Sequence, residues 1–406
     1  MAIVRGAWRN LWRNWRRTAI TLAAVSASTC IMILSWALVW GMMGNMKRNM
    51  TAVSMGDLQI HARGYLAEKS IYAAVKNPDA CMRAAEKAGA KAVKRSYGFG
   101  LVSCGMKSAG AVFWGVDPAA ERSAFIMASK VSEGVFLGEK SRHGVTLGAR
   151  LAKSLDAGIG SEIVALVQAA DGSLGNEIYT VVGILPRLND GIDRSGIFIR
   201  RPDWEELFVA PGVVHEIAVN GDGKIPLEIL VPAMAKPAGR DEVKTWRELM
   251  PIIGDWLDMF DVMMFFFSII FGAAAGLGVM NTMLMATHER TREIGVLKAL
   301  GATPFRIVRD ISMEAFLLGL AGCAIGTLLG VLGGIYLERY GINTALLNPE
   351  GLRISGMVFE TIWYGKLTIK GVATSGLLML VICMVSAIYP AIRAARLDPV
   401  EAMGRV

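Results

Sequence analysis

From Met259 to Met285 the chain contains no lysine or arginine, and from Ile311 to Leu337 it contains one charged residue, Glu314. Each run is long enough to cross a hydrocarbon layer of ~30 Å as a helix. Thr18 to Met43 and Gly371 to Ile392 have the same character. Between the first and second of these runs lies ordinary globular sequence, about 200 residues and enough for one domain or two small ones. The fold expected is therefore an α-helical membrane protein with four transmembrane helices plus a large α+β periplasmic domain inserted between the first and second.

Composition agrees with a mixed architecture: of 406 residues 53% are hydrophobic and 19% charged, too apolar for an average soluble protein and too polar for one wholly in lipid. The net charge is +8, with basic residues gathered at the ends of the apolar runs. That placement favours anionic headgroups as a partner, and no nucleic-acid-binding motif is present. The five cysteines show no CxxC or Cys/His ligand spacing, so neither a metal site nor a disulfide framework is indicated. Cys81 and Cys104 are the only two in the inserted domain, where an oxidising compartment would permit a bridge.

In chain order, residues 1–17 form an amphipathic helix at 3.6 residues per turn. Trp8, Trp12 and Trp15 share its apolar face with Val4 and Leu11, and Arg9, Arg13 and Arg16 lie opposite, which suits the membrane interface. A signal peptide is the competing reading, but the apolar run that follows is longer than such a segment and has no clear cleavage site. The expected spans are 18–43, 256–286, 305–337 and 370–393, around an inserted domain at 44–255. A charged helix at 287–304, a short outer loop or surface helix at 338–369 and a tail at 394–406 complete the chain. Basic residues at the N-terminus, in 287–304 and in the tail all fall on one side if four spans are present, which puts both termini in the cytoplasm and the domain outside.

The stretch 287–304 needs a polar partner. Glu289, Arg290, Arg292, Glu293 and Lys298 fall all round a helix, leaving no dry stripe. Gly301 suits the left-handed position after a helix, Thr303 can cap the next one, and Pro304 fits its first turn. Glu314, near the inner end of its span, is within reach of Arg306 or Arg309. A loop that only orients two spans would have similar composition, but the residue order is distinctive. Glu289-Arg290-Thr291-Arg292-Glu293-Ile294-Gly295-Val296-Leu297-Lys298-Ala299-Leu300-Gly301-Ala302 resembles the signature of the FtsX-like ABC permeases, which include MacB-like exporters and lipoprotein-releasing permeases. The resemblance implies that Glu289, Arg290, Arg292, Glu293, Gly295, Leu297, Lys298 and Gly301 form a coupling helix seated on a cytoplasmic ABC ATPase dimer.

Two further stretches are similar to the same family, GVTLGARLAKSL with its glycine turn and hairpin, and the C-terminal RLDPVEA. Within the domain, 57–61, 111–116, 162–168, 177–185, 197–199 and 216–219 read as strands. Gly272 and Gly276 form a GxxxG pair, and Gly322, Gly326, Gly330 and Gly334 recur every fourth residue on one face, a bare stripe for another helix of the same chain or of a second permease copy.

Catalytic signatures are missing. The chain has no GxxxxGK followed by Ser or Thr, no GxSxG, and no second His after His288-Glu289, while His61, His143 and His215 stand apart. Asn189 to Asp193 is a turn rather than a calcium loop, because the bidentate Glu is missing. The resemblance thus implies a non-catalytic subunit, without metal or cofactor of its own, whose ATP and Mg are bound by the partner ATPase. The expected assembly has a second permease copy, identical or related, in the lipid membrane of a bacterial inner membrane. Its cargo is a lipoprotein or other lipid-anchored or amphipathic molecule, with a periplasmic acceptor or adaptor as a further partner. MacB-like export of peptides or small amphipathic molecules, and FtsX-like regulation of a cell-wall hydrolase, are the alternatives.

Overall fold

The structure is a computed structural model that describes residues 15–138, 142–343, 353–354, 357–358 and 362–398. Four of its helices are long and apolar enough to cross a membrane. The first, Trp15–Met50, continues through a π-helical turn, Thr51–Met55, and so runs well past the 18–43 expected. The others are Pro251–Glu289, Pro304–Tyr340 and Ile369–Ala395. After the third span Ile342–Asn343 pairs with Ile362–Trp363, and most of the expected loop or surface helix between them lies outside the described residues. Trp8, Arg9, Trp12 and Arg13 lie outside the described residues, as does the tail from Pro399; Trp15 is 59% exposed, with Arg16 stacked on its ring at 5.8 Å.

The glycine faces are all turned to partners within the chain. A Cβ on Gly276 would sit 2.5 Å from Ser386 Oγ, and one on Gly272 would overlap Ile382, both on the fourth span. On the third span, Gly322, Gly326 and Gly330 would meet Val25, Ser26 with Thr29, and Ile33 of the first, while Gly334 would meet Leu367. Ser26 Oγ donates to the Gly322 carbonyl at 3.1 Å, a bond that only closely approached backbones permit. Of the two partners expected for this stripe, the described residues place the chain's own first span, with Leu367 at the outer end, against it. Val25, Ala275, Val279, Ala315, Leu318 and Met379 fill the centre of the bundle.

The inserted domain is built on ten strands: β1 Leu58–His61, β2 Lys91–Cys104, β3 Lys107–Val116, β4 Glu133–Gly134, β5 Gly144–Leu147, β6 Glu162–Gln168, β7 Leu174–Ile184, β8 Gly196–Arg200, β9 Glu216–Asn220 and β10 Glu242–Thr245. They pair in the order β10, β1, β9, β2, β3, β8, β5, β7, β4, and β6 bridges β2 and β7, closing a ring of six strands. β2 serves both halves: Lys91 to Arg95 pair with β9, and Gly100 to Ser103 pair with β6. Gly98 lies between the two pairings, and there the Phe208 ring occupies the space a Cβ would need. One core lies under the ring around Phe113, Leu147, Ile163, Tyr179, Ile197 and Trp204. A second forms where the helices Pro78–Lys87 and Leu227–Ala238 cover β1 and β9. Cys81 is buried in the second core and Cys104 sits beside the first; both thiols are free, so the bridge that the compartment would permit is not formed. Burial, with Asp241 nearby, pushes the Cys81 thiol up to about 11.

His61, Tyr65 and His215 form a buried stack, with ring centroids 5.4 and 5.2 Å apart. His215 Nδ1 accepts from the Tyr97 N–H at 2.9 Å, and its Nε2 donates to the Ile71 carbonyl at 2.9 Å, an arrangement only the neutral ring can make. Burial above all, and His61 after it, lower the His215 pKa, against the Ile71 bond, which raises it. A base with a depressed folded-state pKa binds its proton more weakly when folded, so acid favours the unfolded chain. Stability should therefore be intact above the unfolded value of about 6.5 and fall as pH drops below it. Thermal midpoints of the protein followed by tryptophan fluorescence check this: a His215→Gln protein should lack that part of the acid loss, and equal pH slopes would refute the assignment.

Candidate functional site

The charged segment between the second and third spans is a sharply punctuated helical hairpin. The second span stops at Glu289, Arg290 leaves helical geometry at φ −104° and ψ 13°, and a separate helix, Thr291–Ala299, follows. It ends in a Schellman turn: the Gly301 N–H donates to the Lys298 carbonyl at 3.0 Å and the Ala302 N–H to that of Leu297 at 2.9 Å. Gly301 has φ +93°, in the region where a Cβ is strained. Thr303 occupies the N-cap of the third span without a side-chain bond, and Pro304 is its first residue.

The helix is not polar all round. Ile294 and Gly295 are buried, and Ile294 packs with Ile307 and Ile311 of the third span and Ala391, Ala394 and Ala395 of the fourth. A dry stripe therefore exists, narrowed to Ile294 and Gly295.

Several expected coupling residues turn inward. Glu289 pairs with Arg17 at the start of the first span. Arg290 Nη1 donates to Glu314 Oε1 on the third span at 2.8 Å, and its Nε to Glu293 at 3.1 Å. Glu314 is thus paired with Arg290, because the chain reversal brings the end of one span against the next. Burial opposes the charge on Arg290, but Glu314 and then Glu293 outweigh it and raise its pKa. Lys298 Nζ donates to the Ala395 and Leu397 carbonyls at 2.9 and 2.6 Å, capping the fourth span where orphan carbonyls and the negative end of the helix dipole favour a cation. A bond of 2.5 Å between Thr21 and Thr282 hydroxyls adds a link between the first and second spans. The hairpin is bonded to the second, third and fourth spans, and the end of the second span is bonded to the first.

Its other face is open. Arg292 and Glu293 are exposed beside Val296 and Leu297, and Leu300 and Phe305 project at 80% and 75% exposure. Leu300 and Phe305 were not among the coupling residues expected from sequence; the available signal was a large apolar residue at each side of a glycine turn, in a stretch otherwise charged. Among the described residues no cluster of three or more His, Cys, Asp or Glu could hold a metal ion.

The FtsX-like permease C-terminal model matches residues 265–399, and the MacB-like periplasmic core domain model matches residues 18–224, just over half of the chain. The chain belongs to the FtsX-like, MacB-like permease family. It is similar to the lipoprotein-releasing system transmembrane protein LolC of Xylella fastidiosa, 24% identical over 309 residues and 72% of both chains. It is 38% identical over 130 residues to the macrolide export ATP-binding/permease protein MacB of Shewanella oneidensis, a match covering 32% of this chain and 17% of that protein. An uncharacterized ABC transporter permease of Methanocaldococcus jannaschii is 29% identical over 231 residues, 55% of this chain and 54% of that one. The chain thus spans about a sixth of that MacB and about half of the archaeal permease. It is a multi-pass ABC transporter permease of MacB/LolC type, with a periplasmic domain between its first two spans, and permeases of this family are generally non-catalytic membrane subunits.

Proposed function

We propose that this permease carries ATP-driven movement from a separate cytoplasmic ABC ATPase dimer, which binds ATP and Mg, to its periplasmic domain, and that the work done there extracts lipid-anchored or amphipathic cargo from the inner membrane. The observation that carries the reading is the two-faced hairpin. One face is bonded to the third and fourth spans beside the Arg17–Glu289 link of the first two, and the other presents Leu297, Leu300 and Phe305 among charged neighbours, as an anchor for a polar-rimmed socket does. Two copies, identical or related, would seat on the two ATPases, with both termini cytoplasmic. What supports lipoprotein release is the match to LolC through 72% of both chains, against 32% of this chain for the Shewanella MacB; MacB-like export is the second reading, supported by the periplasmic core model over residues 18–224.

The outer wall of the strand ring fits such cargo. Leu101 faces Leu166 across β2 and β6, and Val164 faces Ile178 across β6 and β7; these four residues, with Phe99 and Leu174 nearby, are exposed, and no charged residue interrupts the pairs. Contiguous apolar surface of this kind marks a contact site. A regulator of a cell-wall hydrolase would use the same surface for a protein instead. Purification of the tagged protein from membranes tests both readings: an ABC ATPase with a lipoprotein is the expected outcome, an ATPase with a hydrolase selects the regulator, and absence of any ATPase overturns the transmission reading.

A further inference from the structure

The first long helix meets the domain without a loop. The π-helical turn Thr51–Met55 is closed by the Gly56 N–H donating to the Thr51 carbonyl at 2.8 Å, and β1 begins at Leu58. The last carbonyls of a helix have no partner inside it and carry the negative end of its dipole. Domain side chains meet them here: Arg95 Nη1 donates to the Ser54 carbonyl at 2.5 Å, and Gln59 Nε2 to that of Met55 at 2.9 Å. The Asp57 N–H donates to the Val219 carbonyl at 2.7 Å, and its carboxylate accepts from the Gly221 N–H at 2.8 Å. A Cβ on Gly56 would lie 2.5 Å from the Val219 carbonyl oxygen, so the turn rests directly on β9.

Arg95, with its side chain 1% exposed, is the centre of this junction. Its Nε and Nη2 donate to the two Glu121 oxygens at 2.7 and 3.0 Å, and Nη1 also donates to Glu216 Oε1 at 2.9 Å. The guanidinium lies over the Phe125 ring at 4.6 Å and the Trp114 ring at 5.4 Å. Burial alone would lower its pKa, but Glu121 and Glu216 hold it well above the usual value, and it stays a cation. One planar group thereby joins the end of the first helix to β2, β9 and the helix Pro118–Ala124. Stability does not require such a device, because an apolar replacement of a buried ionic cluster is often as stable or more so. What an apolar cluster lacks is direction: a fork of charged hydrogen bonds fixes where the helix end sits.

We propose that Arg95 is the positioning residue of a stiff joint that passes displacement of the first span into β1 and β9 at the root of the domain. The inference rests on the transmission reading above and adds the place where movement enters the domain. A flexible linker would absorb the same displacement.

The test is amide hydrogen exchange of the full-length protein, purified with its ATPase in lipid nanodiscs, with and without ATP and magnesium. The triple variant Arg95→Met/Glu121→Gln/Glu216→Gln removes the charges together and leaves no carboxylate stranded. Arg95→Lys retains the charge but not the fork, and Lys94→Ala, on an exposed ion pair beside it, is the control. Without nucleotide, residues 51–57 should exchange at least ~10-fold faster in the triple variant, with β3 and β8 unchanged. With nucleotide, the native protein should respond both in the outer turns of the first span and in β1 and β9; the triple variant should respond in the span alone, and Arg95→Lys should fall between. A triple variant whose root strands respond as the native ones do overturns the joint. If the native complex shows no nucleotide response, the transmission reading fails; native-like protection of residues 51–57 in the triple variant overturns the joint by itself.

Discussion

A Gly326→Ile protein should lose the packing of its third span on its first. A Cβ at this position would lie 2.5 Å from the Ser26 carbonyl oxygen and 2.6 Å from Thr29 Cβ, so the first obstacle is backbone, which cannot swing aside. Separating the helices would also break the Ser26 to Gly322 bond and the dispersion contacts along the seam. Overpacking usually costs about 1–3 kcal/mol, and a branched side chain against backbone belongs at or above the upper end. Gly330→Ile should behave similarly, since its added Cβ would meet Ile33 at 2.9 Å. Leu328, 61% exposed on the same helix, is the comparison, and Leu328→Ile should stay within about 0.5 kcal/mol of the parent. Thermal midpoints in detergent, together with recovery of the ATPase complex, decide the matter. Equal behaviour of the glycine and leucine variants would mean that the seam contributes nothing.

The second large effect is expected at the open face of the hairpin. Leu300→Asp and Phe305→Asp replace side chains that are 80% and 75% exposed, so folding and membrane insertion should be close to unchanged. If these side chains anchor the ATPase, losing either should weaken docking by at least ~2 kcal/mol, about thirtyfold, and the double variant should abolish permease-stimulated ATP turnover. Turnover in the reconstituted complex equal to that of the parent would remove both residues from the interface. Charge reversal at Glu289 has a different meaning: it would set a lysine beside Arg17 and loosen the seat of the hairpin, whereas reversal at Glu293 strips one partner from Arg290.

The spans were readable because an uncharged run of such length has few other folds, and the hairpin because Gly301, Thr303 and Pro304 each have a local conformational reason to stand where they do. β6 was legible as an unbroken apolar run, Ile163 to Val167, between Glu162 and Gln168, whereas the exposure of Val164 and Leu166 on its outer face was not. The long strand β2 was not, since Gly98 and Gly100 interrupt its pattern and owe their place to Phe208 and Val167 from distant parts of the chain. The helix Leu227–Ala238 was hidden by Pro232 and Pro237 within it. At the candidate site, the charged residue types were visible, but their directions were not. Whether Glu289 or Lys298 faces a partner protein or the chain's own spans depends on where Arg17 and the Ala395 carbonyl arrive, and no local pattern encodes that.

The two tethers of the domain differ in how they bear load. Where the first helix enters, β1 has a neighbour on both sides, and Asp57 is bonded to β9 as well. Where the chain leaves, β10 is an edge strand that among the described strands pairs with β1 alone, and its last residue, Thr245, lies opposite the first residue of β1, Leu58. A pull that separated the two ends would therefore peel β10 from Thr245 inward, one rung after another, instead of shearing all rungs at once. The entry tether resists tension collectively and the exit tether resists it serially. Under a strong enough tug, β10 would unpair and lengthen the exit tether while the entry tether held.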